Sequence, residues 1–237
     1  MILRYVLVTG LVALLACRVG RSDGRSAGAT TDTPRSDRPT VRPSDSRPAI
    51  VFLGTSLTAG YGLADPATEA YPALLQAKLD SAGRRFRVVN AGLSGESSAG
   101  ALTRIDWLLR RDTVAVLVVE TGANDGLRGQ DPDSVRGRIQ TIFDRARQSQ
   151  PPPRLVVVGM EALPNLGEAY VRRFHAIYPA VARANGAALV PFLLTGVAGV
   201  DSLNQDDGIH PTAEGHRRLA ENVWAVLEEV TRTPFHK

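Results

Sequence analysis

Residues 49–63 read A-I-V-F-L-G-T-S-L-T-A-G-Y-G-L. An apolar run, Ala49–Leu53, stops at Gly54 and gives way to two hydroxyl residues, Thr55 and Ser56, and then to two more glycines. The run is short, without polar alternation and bounded by glycine, so it reads as a strand covered on both faces. A buried strand that ends in Gly-Thr-Ser delivers its hydroxyls to the carboxyl edge of a sheet, where open α/β proteins gather their ligands. By itself the stretch leaves Ser56 three roles: nucleophile, phosphate-binding hydroxyl or turn residue.

Working outward, the same kind of run recurs. Apolar, β-branched segments at Ala49–Leu53, Phe86–Asn90, Val114–Glu120, Arg154–Gly159 and Ala187–Phe192 alternate with segments of helical spacing. Tyr71, Leu74, Leu75 and Leu79 form one helical stripe, Ile139, Ile142, Phe143 and Ala146 another, and Thr212–Thr231 is a final amphipathic stretch. Five strands alternating with helices predict a three-layer α/β/α domain, a flavodoxin-like, doubly wound five-stranded parallel sheet. Gly186 after Arg183-Ala184-Asn185 marks a helix C-terminus, and Pro151-Pro152-Pro153 separates a helix from the fourth strand. Pro179 predicts a kink or restart inside the fourth helical segment.

On this layout the first three strands end in Gly54-Thr55-Ser56, in Asn90-Ala91-Gly92-Leu93-Ser94-Gly95-Glu96, and in Thr121-Gly122-Ala123-Asn124-Asp125-Gly126. All three land on one edge of the sheet. The loop after the fifth strand ends in Asp206-Asp207-Gly208-Ile209-His210-Pro211 and can reach the same edge, with Pro211 expected to start the last helix. A serine hydroxyl needs a base within hydrogen-bond reach, and the base needs an orienting acceptor. The spacing Asp207–His210 supplies both. An oxyanion needs donors in place before it forms: Gly95 offers an unobstructed backbone N–H, Asn124 a side-chain amide, and Ser56 its own N–H.

Together these blocks resemble the SGNH, or GDSL-type, hydrolase superfamily: L-G-T-S-L-T-A-G-Y-G-L, N-A-G-L-S-G-E-S, E-T-G-A-N-D-G-L-R-G and D-D-G-I-H-P. In order and spacing they are most similar to its thioesterase, lysophospholipase and arylesterase branch. The resemblance implies that Ser56 is the nucleophile, that Gly95 and Asn124 complete the oxyanion hole with Ser56, and that Asp207 and His210 finish the triad. One departure stands out. The family's usual G-D-S-L is Gly54-Thr55-Ser56-Leu57 here, so the acid before the serine is replaced by a threonine that can still hydrogen-bond within the loop. Nor is this the G-x-S-x-G elbow, because Thr58 stands where the last glycine would be.

The resemblance also implies a substrate wall: Leu127-Arg128-Gly129 falls where similar thioesterases carry a loop that closes on an acyl chain, and Leu163-Pro164 would form the opposite side. An apolar groove lined by Leu127, Leu163 and Pro164 favours acyl esters, thioesters and lysophospholipids. Acetylated carbohydrates, the substrates of other members, are the alternative. A phosphate-binding module without chemistry, using Thr55, Ser56 and Thr58, is the rival of another class, and it leaves Asn124, Asp207 and His210 without a role. No cofactor is implied. Metal chemistry is not implied either, since His210 and His216 belong to no H-E-x-x-H and the chain has one cysteine.

That cysteine ends a different kind of segment. Residues 1–17, M-I-L-R-Y-V-L-V-T-G-L-V-A-L-L-A-C, carry an early positive charge and an apolar run too short to span a bilayer comfortably, which reads as a secretory signal. Leu14-Leu15-Ala16-Cys17 resembles the bacterial lipobox, which implies cleavage before Cys17, its acylation, and an exported domain anchored to a bacterial membrane. Residues 18–48 hold seven Arg and four Asp among Ser, Thr, Pro and Gly, with Val19 and Val41 as the only large apolar side chains. Such a segment buries too little surface to offset its ordering entropy and is expected to be a disordered tether to the domain at 49–237. The net charge of +4 is explained by Arg4 and this segment, because residues 49–237 balance. The charge is therefore no nucleic-acid footprint, and a monomer acting on a small molecule is expected.

Overall fold

The computed structural model describes residues 45–233. The signal segment 1–17, Cys17 and the tether up to residue 44 lie outside the described residues, as do residues 234–237.

Five strands form one sheet: β1 (Ala49–Gly54), β2 (Arg87–Gly92), β3 (Val114–Val119), β4 (Arg154–Val158) and β5 (Ala188–Val190). They are parallel throughout, in the order β2-β1-β3-β4-β5. Between β1 and β2 run α1 (Ser56–Ala59), α2 (Pro66–Glu69) and α3 (Tyr71–Ser81), and α4 (Ser98–Arg111) leads from β2 to β3. Then α5 (Ala123–Leu127) and α6 (Pro132–Arg147) lead to β4, α7 (Glu168–His175) and α8 (Ile177–Asn185) lead to β5, and α9 (Ala213–Val230) ends the described fold. Helices α3 and α9 pack together on one face of the sheet, and α4, α6 and α8 pack in a row on the other. This is the doubly wound α/β/α architecture that the alternation of runs predicts.

The burial follows the residue types. Every residue of the central strands β1 and β3 is buried, whereas β2, at an edge, is mostly half-covered. In α6 the stripe Ile139, Ile142, Phe143 and Ala146 is completely buried, while Asp131 caps the helix by accepting from the Ser134 N–H at 3.0 Å. The chain leaves β1 for one face and β3 for the other, so the loops after these neighbouring strands diverge and open a crevice between them.

Three boundaries differ from the sequence expectation by more than one residue, each for a local reason. Strand β2 runs on to Gly92 because it keeps pairing with β1 as far as Gly54. A side chain at Gly92 would meet the Ala59 backbone nitrogen at 2.2 Å, so glycine lets α1 lie against the strand end. Strand β5 stops at Val190, since Pro191 has no N–H for the ladder. The restart expected around Pro179 is present: α8 begins at Ile177, which leaves Pro179 in its first turn, where a missing N–H is harmless. Pro211 does not begin the last helix: Thr212 is its N-cap, accepting from the Gly215 N–H at 3.3 Å, and Pro211 instead pairs with Asn204 in an antiparallel bridge. The smaller differences at Glu120 and Gly159 are a single residue each.

Candidate active site

The first turn after β1 is clamped from below. A Cβ on Gly54 would lie 1.9 Å from Thr58 Oγ1 and 2.8 Å from a Glu120 carboxylate oxygen, so only glycine admits this approach. The Glu120 carboxylate is buried at the end of β3 and accepts from the Thr55 N–H at 2.9 Å, the Thr55 hydroxyl at 3.0 Å and the Thr58 hydroxyl at 2.8 Å. Thr58 Oγ1 is also 2.7 Å from the Tyr71 hydroxyl. Burial pushes Glu120 above the ordinary carboxylate range against the pull of these donors, and it pushes Tyr71 well above the usual phenol value. Thr55, the departure from G-D-S-L, is thus tied into the loop through both its N–H and its hydroxyl. Ser56, at the start of α1, is left pointing at the opposite loop.

There it meets His210. Ser56 Oγ lies 2.9 Å from His210 Nε2, and His210 Nδ1 lies 2.6 Å from Asp207 Oδ2. The other Asp207 oxygen accepts from the backbone N–H groups of Ile209 and His210, both at 2.9 Å. These bonds, led by that to the imidazole, hold the Asp207 carboxyl down at about 2, so it is charged at neutral pH. The loop owes its shape to Gly208, at φ +67°, and to Gln205, whose N–H donates to the His210 carbonyl at 2.7 Å. The Gln205 side-chain amide donates to the Tyr61 and Pro211 carbonyls, and the Tyr61 ring lies 4.7 Å from the imidazole, centroid to centroid.

The second and third loops meet each other. Asn124 Nδ2 donates to the Glu96 carbonyl at 3.1 Å, and Arg128 donates to the Gly95 carbonyl at 3.0 Å. Gly95 sits at φ +78°, a conformation that side chains resist, and its N–H has no acceptor among the described residues. The Arg104 guanidinium braces the same loop, bonding the Glu96 carboxylate at 2.6 and 2.7 Å and the Ala91 carbonyl at 2.7 Å.

A cavity of about 470 Å³ opens beside Ser56. Ser56, Asn124 and His210 line it, together with Leu127, Leu163 and Pro164 and the apolar side chains of Met160, Phe192, Leu194 and Ile209. Gly95 does not line it, and Asp207 stands behind the imidazole. His216 belongs to the core: its Nδ1 accepts from the Tyr71 N–H at 3.2 Å, and burial pushes it down to about 4. Among the described residues no three His, Cys, Asp or Glu side chains are grouped to hold a metal ion.

Residues 52–218 match the GDSL-like lipase/acylhydrolase family. The chain belongs to this family. It is 40% identical over 179 residues to the esterase TesA of Pseudomonas aeruginosa, across 76% of this chain and 87% of that one. It is 36% identical over 172 residues to thioesterase 1/protease 1/lysophospholipase L1 of Escherichia coli K12, across 73% and 79%. The crystal structure of TesA superposes with a TM-score of 0.72, covering 77% of this chain and 99% of the other. This GDSL hydrolase is accordingly a carboxylic ester hydrolase with the SGNH fold.

Three features of the site go beyond the residues that the motifs single out. Glu120 ends a run of six apolar residues and reads as the last residue of a strand; a lone acid there is itself the signal, because carboxylates are seldom fully buried without partners. Gln205 and Tyr61 act through backbone carbonyls and a ring contact, which no residue spacing announces.

Proposed function

We infer that this GDSL hydrolase cleaves acyl esters and thioesters through a covalent acyl-enzyme on Ser56. What carries the reading is the continuous chain Asp207–His210–Ser56 at the mouth of an apolar cavity. Ser56 Oγ attacks the substrate carbonyl carbon and passes its proton to His210 Nε2. The charged Asp207 faces Nδ1–H and stabilises the imidazolium that results. The carbonyl oxygen becomes an oxyanion, met by the N–H groups of Ser56 and Gly95 and by the Asn124 amide, whose second hydrogen is not needed by Glu96. On collapse the C–O or C–S bond breaks, and His210 returns the proton to the departing alcohol or thiol. Water, deprotonated by His210, then releases the carboxylic acid.

The apolar lining supports acyl chains, with lysophospholipids among their carriers, over acetylated sugars, which need polar partners for their hydroxyls. The names of the relatives, esterase and thioesterase/lysophospholipase, point the same way. Export and acylation at Cys17 rest on Leu14-Leu15-Ala16-Cys17 alone. The test is a chain-length series of p-nitrophenyl esters run beside acetylated xylan. Longer acyl chains should raise kcat/KM, xylan should be inert, and Ser56→Ala should lower kcat by about 10⁴ to 10⁶. Turnover of xylan in preference to the esters would overturn the substrate class, and an active Ser56→Ala the mechanism.

A further inference from the structure

Among the described residues seven large hydrophobic side chains are exposed, and six of them, all but Trp107, stand in the segments that follow the strands at the carboxyl edge of the sheet. Tyr61 follows β1, Leu93 follows β2, Leu127 follows β3, Leu163 follows β4, and Val200 and Ile209 follow β5; each is 40–53% exposed. Scattered surface hydrophobics need no explanation, but a set drawn from the loops of all five strands onto one edge does. Three of the six, Leu127, Leu163 and Ile209, continue inward as cavity wall. Tyr61 lies against His210, and Val200 follows the cavity-lining Gly199. Leu93 is bound through its N–H to the Gly54 carbonyl, two residues from Ser56. Three of the six thus line the cavity, Tyr61 touches the imidazole, and Leu93 and Val200 belong to the segments beside them.

The opposite edge has the contrary character. Arg85, Arg110, Arg111 and Arg183 are exposed there, before β2, β3 and β5, among the exposed Asp80, Asp144, Glu228 and Glu229 of the helix ends, and Arg111 covers Trp107 at 5.2 Å. A surface that met anionic headgroups by charge would use those arginines; the rim, where Asp201, Asp206 and Arg128 are mixed among apolar side chains, would not.

We propose that the rim docks on the surface of a neutral lipid bilayer, so that this hydrolase draws its substrate from an interface instead of from free solution. The occupant follows from continuity. The side chains that face water at the rim lead into the cavity that takes the acyl chain, so an acyl chain can leave the bilayer and enter the cavity without crossing water. The chain enters the domain at Ala49, on the far edge. The proposal rests on the acyl-ester reading for its substrate, but docking itself is measured without turnover.

The experiment uses the full-length chain carrying Cys17→Ser, so that no anchor contributes, and compares it with the same chain bearing Leu93→Ser and Val200→Ser. Neither residue lines the cavity. Retention on phosphatidylcholine vesicles should fall about tenfold or more, and hydrolysis of lysophosphatidylcholine above its critical micelle concentration should fall with it. Hydrolysis of monomeric p-nitrophenyl acetate should stay within about twofold. Val200→Trp should raise retention, because tryptophan favours the interface. Unchanged retention in the double variant would overturn the proposal, as would an equal loss on the monomeric ester. Retention that needs phosphatidylglycerol and vanishes in salt would overturn it too, by moving the contact to the arginine edge. A parent chain that fails on every monomeric ester would instead overturn the reading of Ser56, leaving the vesicle result to stand by itself.

Discussion

At the scale of the residue, the site is a set of donors and acceptors whose partners are already assigned, and the assignment makes Asn124 informative. Its amide has two hydrogens, one given to the Glu96 carbonyl and the other available to a substrate. If the second meets the developing oxyanion, Asn124→Ala should cost about 10² to 10³ in kcat, roughly 3 to 4 kcal/mol, and leave KM nearly unchanged. If the amide only ties the loops together, the variant should melt at lower temperature and keep its kcat. Measuring both quantities on one preparation separates the roles. Ser56, His210, Asp207 and Asn124 are legible in the sequence because each is a polar residue among glycines, after a strand or before the last helix. Glu120 is not, since a strand of Val and Leu runs straight into it. Its role depends on the Thr55 N–H and on two hydroxyls more than sixty positions away in sequence, which chain spacing cannot reveal.

At the scale of the element, α3 and α9 are joined by a polar contact inside their packed interface, the Tyr71 N–H donating to His216 Nδ1. The imidazole must be neutral to accept there. Burial and the neighbouring His210 push it from 6.5 to about 4, so between these values the unfolded chain binds a proton that the folded chain does not. Stability therefore rises with pH across that window and is lost as pH falls through it, by about 3 kcal/mol in all. His216→Asn, which keeps an acceptor for Tyr71 without a titrating ring, should flatten the acid limb of Tm against pH between about 6.5 and 4. An unchanged limb would remove His216 from the acid sensitivity. The same scale shows where element boundaries escape the sequence. Ala91-Gly92 has the composition of a loop, yet it is strand, because β1 beside it offers partners up to Gly54. Pro211 looks like a helix start, yet the Asn204 bridge holds it in the His210 loop, and the helix waits for Thr212. In both cases a backbone pairing, with β1 in the first and within the His210 loop in the second, overrides the local signal.

At the scale of the whole molecule, the parallel sheet sorts function by edge. The carboxyl ends of the strands carry the hydroxyl, the imidazole and the amide, and the amino ends receive the chain from its N-terminal segment. No helix among the described residues is long and apolar enough to cross a membrane. If Cys17 is acylated, Cys17→Ser should lower the share of the protein in the membrane fraction and leave its esterase activity intact, because Ser56, Asp207 and His210 all lie within residues 49–237. Wild-type recovery in membranes would contradict the anchor. The central claim, that all these loops converge to make one serine reactive, is tested most directly by covalent capture. Treated with a fluorophosphonate, the protein should gain one adduct, located by peptide mass mapping on Ser56. His210→Ala should slow its formation by at least about 10³. An adduct on another residue, or labelling undiminished in Ser56→Ala, would contradict the account.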